Sequence, residues 1–113
     1  MVTVVFCYAQ CNEPKVQIAA VREGRALTVS NANAVLRAMT RDQSLYGSIE
    51  IAVLLDGDVA FKDVINVSGQ WRGYDMLTSY LQEIARHYDG NGCIEKRNSI
   101  LCLLGAIALD EAE

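Results

Sequence analysis

Ser48-Ile49-Glu50-Ile51-Ala52-Val53-Leu54-Leu55-Asp56-Gly57-Asp58-Val59-Ala60-Phe61-Lys62-Asp63-Val64-Ile65-Asn66-Val67 holds two apolar, β-branched runs that meet at an Asp-Gly pair. Glycine takes a positive φ without steric cost and aspartate tolerates the tight backbone before it, so this pattern predicts a β-hairpin. Side chains alternate along a strand, and a slip of one residue moves every one of them to the other face. A two-residue Asp56-Gly57 loop sets Ile51 opposite Lys62 and Val53 opposite Ala60, mixing a charge into the apolar face. A three-residue loop, Leu55-Asp56-Gly57 with Gly57 left-handed as a bulge, instead sets Val53 against Val59, Ile51 against Phe61 and Glu50 against Lys62. The second register keeps faces and charges consistent and is the one expected.

Outward from the hairpin, residues 2–9 are rich in Val, Phe and Tyr and predict a first strand. Gln10-Cys11-Asn12-Glu13-Pro14 ends it. Lys15 to Val21 alternates and is read as a strand, turning through Arg22-Glu23-Gly24-Arg25 into a short strand over Ala26–Val29. Ser30 is the expected cap of a helix running to about Asp42, in which Ala34, Val35, Ala38 and Met39 recur at helical spacing. After the hairpin, Ser68-Gly69-Gln70-Trp71-Arg72-Gly73 reads as a loop. Asp75 then caps a helix with Leu77, Tyr80, Leu81, Ile84 and Tyr88 on one stripe, closed by Asp89-Gly90-Asn91-Gly92.

Ser99 to Leu109 is apolar on all sides, so periodicity does not separate a buried helix from a buried strand. Its length and its Leu and Ala content favour helix, although Gly105 costs about 1 kcal/mol against alanine. A helix this apolar outruns what one small chain encloses, and a face of that kind marks an interface. The expected architecture is therefore α+β: a mainly antiparallel sheet of four to five strands with two to three helices packed on one face, in a single domain over residues 1–113.

Composition narrows the function classes. The chain of 113 residues is 51% hydrophobic, and 14 acids interleave with 10 bases for a net charge of −4. Binding a phosphate backbone draws on clustered Lys and Arg, and no such cluster exists, so no nucleic-acid partner is expected. The run Ile100 to Leu109 falls far short of the roughly 20 residues a membrane-spanning helix needs, and no export signal precedes it, so we expect no membrane contact and a cytoplasmic location. In that compartment Cys7, Cys11, Cys93 and Cys102 stay reduced.

No residue pattern marks a reaction. Phosphate-binding glycine loops, the G-x-S-x-G elbow and H-E-x-x-H are all missing. His87, the single histidine, sits in the last turn of a predicted helix with Cys93 six residues on, and a thiolate does need a neighbouring base or positive charge. Cys7 and Cys11 form C-x₃-C, which with His87 and Cys93 gives four soft zinc ligands only if strand end and glycine loop meet. Asp56, Asp58 and Asp63 lack the calcium-loop arrangement and are better explained by turn chemistry. We accordingly expect no catalytic residue, no metal and no cofactor. Trp71, Arg72 and Tyr74 are the residue types that anchor interfaces and are assigned to partner binding, with Trp71 as a core residue pinning the loop onto the sheet as the alternative. The sequence thus reads as a small acidic protein-binding module of regulatory or inhibitor type, with a protein partner and a homodimer both expected. The competing reading is a small-molecule binder or enzyme whose pocket between sheet and helix is lined by Tyr8, Trp71, Tyr80 and His87, with Cys93 in reach.

Overall fold

A computed structural model describes residues 1–11, 24–41, 47–66 and 76–112. In chain order the elements are β1 (Val2–Cys11), β2 (Ala26–Leu27), α1 (Val29–Arg41), β3 (Gly47–Leu55), β4 (Asp58–Asn66), α2 (Leu77–Gly90) and α3 (Ile94–Ala112). The strands form one sheet in the order β2-β1-β3-β4, with every pairing antiparallel. With three helices among the described residues, this is the α+β architecture that the sequence predicts.

Alternation decides which side of the sheet the helices cover. Val2, Val4 and Phe6 on β1 lie beside Ile49, Ile51 and Val53 on β3 and Phe61 on β4, and all are buried. Thr3, Val5, Glu50 and Ala52 on the opposite face remain half-exposed. The inner face is covered by Val35, Leu36 and Met39 of α1, Leu77, Tyr80, Leu81 and Ala85 of α2, and Ile100, Leu103 and Ile107 of α3, which join it in one core cluster. Burying side chains of this size stabilises by roughly 1.5–3 kcal/mol each, and this shared layer is what fixes the helices in place.

The hairpin differs from expectation. Leu55 pairs with Asp58, so the loop is the two-residue Asp56-Gly57, both left-handed at φ 52° and 89°. Positive φ at both positions is the type I′ turn, whose twist matches that of the flanking strands. The face conflict that such a loop creates is relieved by an extra residue in β4, Ala60, between the Leu54–Val59 and Val53–Phe61 pairs. Beyond this bulge Ile51 faces Asp63 and Ala52 faces Lys62, two residues away from the expected register. Glu50 and Lys62 still meet, diagonally, at 3.4 Å.

Other corrections follow from capping. The strand expected over Ala26–Val29 stops at Leu27, because the Thr28 hydroxyl accepts from the Asn31 amide at 3.2 Å and its carbonyl accepts from the Ala32 amide at 2.9 Å. Thr28, not Ser30, therefore starts α1, and Val29 enters the core as its first residue. The strand read into Lys15 to Val21 and the cap at Asp75 lie outside the described residues. The α2 start at Met76 has no cap of its own side chain. Instead the Leu77 amide donates to Asn33 Oδ1 of α1 at 2.7 Å, so a side chain of one helix satisfies one of the other's open amides.

Phe61 inward means Asp63 inward too. Its carboxylate accepts from the Tyr80 hydroxyl at 2.7 Å, while the Tyr80 ring packs edge-on against Phe61 with centroids 6.1 Å apart. Tyr80→Phe keeps the ring and removes this one donor, so it is expected to lower stability by about 1 kcal/mol in urea denaturation; an unchanged midpoint would show that the hydrogen bond contributes nothing.

Candidate functional site

The segment Ser99 to Leu109 is helical and lies within α3, as its Leu and Ala content favours. The turn that aims it is built from backbone. Gly92 is left-handed at φ 74°, and the Cys93 amide donates to the Tyr88 carbonyl at 2.8 Å, which reverses the chain after α2. Asn91 fixes the same turn by donating from Nδ2 to the His87 carbonyl at 2.8 Å. Arg97 Nη1 then reaches Asp89 at 2.6 Å, and Lys96 lies 5.6 Å from the Tyr88 ring centre, so the first turn of α3 is braced against the last turn of α2. At the far end Asp110 accepts from the Val2 amide and ties α3 to β1.

So held, α3 buries Ile100, Leu103 and Ile107 and turns a second apolar stripe to the outside. Leu101 is 50% exposed and Leu109 71% exposed, and Cys102, Gly105 and Ala108 on the same side are exposed as well. At 3.6 residues per turn these five positions lie on one face. Between Leu101 and Leu109 the helix has no charged residue at all. An ordinary surface helix carries its charges there. Beside this face, Gln82, Ala85, Arg86 and Asp89 of α2 and Arg97 and Leu101 of α3 line an open groove of about 310 Å³.

The residues proposed from sequence fare differently. Trp71, Arg72 and Tyr74 lie outside the described residues. So do the side chains of Tyr8 and Cys11 and the segment that holds Trp71, which leaves Tyr80 and His87 of the four suggested pocket residues. These two do not converge: Tyr80 is buried against Phe61 and Asp63, and His87 is exposed two turns further along α2. His87 and Cys93 share a neighbour rather than touching. Asn91 Nδ2 is 3.3 Å from His87 Nε2, and the Asn91 carbonyl is 3.9 Å from Cys93 Sγ. Among the described residues no three His, Cys, Asp or Glu side chains gather to hold a metal ion, and Cys7, Cys93 and Cys102 are free thiols. No described helix is long and apolar enough to cross a membrane.

Sequence reasoning missed the Asp63–Tyr80 contact, although inward-facing Phe61 and the stripe of α2 together imply it. The groove residues Arg86, Asp89 and Arg97 gave no sequence signal, because their meeting depends on the angle of the α2–α3 turn. If the outer stripe of α3 is surplus to folding, Leu101→Ala is expected to change stability by less than about 0.5 kcal/mol. Leu103→Ala, on the inner stripe of the same helix, is expected to cost about 2–5 kcal/mol, both read by thermal denaturation. No protein-family model, curated protein or solved structure matches this chain.

Proposed function

We propose that the protein acts by docking another polypeptide on the outer face of α3, as a small regulatory or inhibitor-type module without catalysis. The observation that carries this reading is the uncharged, solvent-facing stripe with Leu101 and Leu109 at half or more exposure. Water contact with such a stripe is unfavourable, and association relieves it. The surrounding Arg86, Asp89 and Arg97 supply the polar rim that protein interfaces have around an apolar centre. The competing reading, a small-ligand or catalytic site using His87 and Cys93, has in its favour only their common contact with Asn91.

The test compares the wild-type chain with Leu101→Glu/Leu109→Glu, whose fold is checked by circular dichroism. A partner retained from an extract of the native host by the wild type, and identified by mass spectrometry, is expected to be lost from the double variant. Equal retention by both would move the docking site off α3. A thermal-shift screen of small molecules separates the second reading, because a ligand at a hundredfold excess over its Kd stabilises by about 2.7 kcal/mol; we expect no such shift.

A further inference from the structure

We infer that Asn91 is a self-modification site, a one-way chemical switch in the turn that aims α3, held shut for as long as that turn stays closed. The inference is independent of what docks on α3. Of the chain's asparagines only Asn91 is followed by glycine, and both residues are exposed. Glycine has no Cβ to shield its amide, so its nitrogen can reach the side chain before it. The Gly92 amide gives its proton to solvent base and its nitrogen attacks Asn91 Cγ. The N–Cγ bond forms, the Cγ–Nδ2 bond breaks and ammonia leaves. Water then opens the cyclic imide. Cleavage at Cγ gives aspartate, and cleavage at the main-chain carbonyl gives isoaspartate, whose backbone runs on through the former side chain.

The geometry of the turn sets when this happens. Asn91 has φ −98° and ψ 4°, in the bridge region. That ψ lays the Gly92 nitrogen over Asn91's own nitrogen, swung away from Cβ and the carbon it must attack. The nucleophile is also engaged, since the Gly92 amide donates to the Asp89 carbonyl at 3.2 Å. The leaving group is held as well: Asn91 Nδ2 donates to the His87 carbonyl at 2.8 Å and lies 3.3 Å from His87 Nε2. Cyclisation therefore requires the turn to open first, and its rate in the folded chain follows that opening. Once formed, isoaspartate keeps the turn from reclosing as it was. The Gly92–Asp89 and Cys93–Tyr88 hydrogen bonds each close a loop of backbone that passes through residue 91, and both loops gain an atom. The Nδ2 donor to the His87 carbonyl is lost at the same time.

Ageing the full chain at mildly alkaline pH, in native buffer and in guanidinium chloride, tests the switch, with conversion located by peptide mapping in a mass spectrometer. Conversion of amide to carboxyl is expected at Asn91 ahead of every other asparagine, and about tenfold or more slower in the folded chain than in denaturant. The isoaspartyl chain, separated by chromatography, is expected to exchange the Gly92 and Cys93 amide hydrogens faster than the unmodified chain, with exchange across β1 and β3 unchanged. No conversion in denaturant, equal rates folded and unfolded, first conversion at another asparagine, or unaltered exchange at Gly92 and Cys93 would each overturn the inference.

Discussion

Strict alternation along β1 and β3 is the constraint on which the rest of the molecule depends. Val2, Val4 and Phe6 on β1 and Ile49, Ile51 and Val53 on β3 are all buried, and the sheet has one face that must be kept from water. The three described helices meet that need by each presenting a stripe, and the stripe chosen sets the helix rotation. For α3 the choice of Ile100, Leu103 and Ile107 as the inward set turns Leu101 and Leu109 outward. The candidate site is thus a by-product of how the core is closed: with apolar residues on all sides, whichever face α3 buries, another remains.

The hairpin shows how far alternation carries a reading of sequence. The expected register and the observed one differ by two residues, an even number, so both place Phe61 inward beside the β3 residues. Parity follows from the pattern of side chains. The slide of two does not, because one residue of it comes from the two-residue turn and the other from the bulge at Ala60, a residue small enough to be unmarked in the sequence. Asp56-Gly57 was correctly legible as a turn, but its type depends on twist, and the left-handed Asp56 is what admits the tighter loop. The start of α1 was misplaced for a related reason. Thr28 and Ser30 both offer a hydroxyl, and the selection between them is made by Val29, which has to reach the core. The α2 stripe and the helicity of Ser99 to Leu109 were legible because each depends on a long run of residues rather than on one.

The candidate site was legible in kind. An all-round apolar helix implies surplus apolar surface, and that much comes from Ser99 to Leu109 alone. Which residues form the outer stripe requires the rotation of α3, which is set by contacts far away in sequence, including Asp110 with the Val2 amide and Arg97 with Asp89. The aromatic loop with Trp71, Arg72 and Tyr74 lies outside the described residues, so its part in partner binding stays a proposal on residue type alone.

A sheet offers a second way to associate, through strand edges, and the described edges argue against it here. β2 is two residues long and presents little backbone to pair. β4 is longer, yet it carries three of the devices that blunt an edge: the bulge at Ala60, the outward Lys62 and the inward Asp63. Asp63 is held by the Tyr80 hydroxyl of α2, so the same contact that docks the helix keeps a carboxylate beside the edge. Any strand added to β4 would have to follow the bulge and approach that charge. The outer stripe of α3 carries no charge between Leu101 and Leu109, and Arg86, Asp89 and Arg97 stand to one side in the adjoining groove, where they can orient a partner without being buried by it. Edge defence on the sheet together with an uncharged helix face favours α3 over β4 as the proposed docking surface.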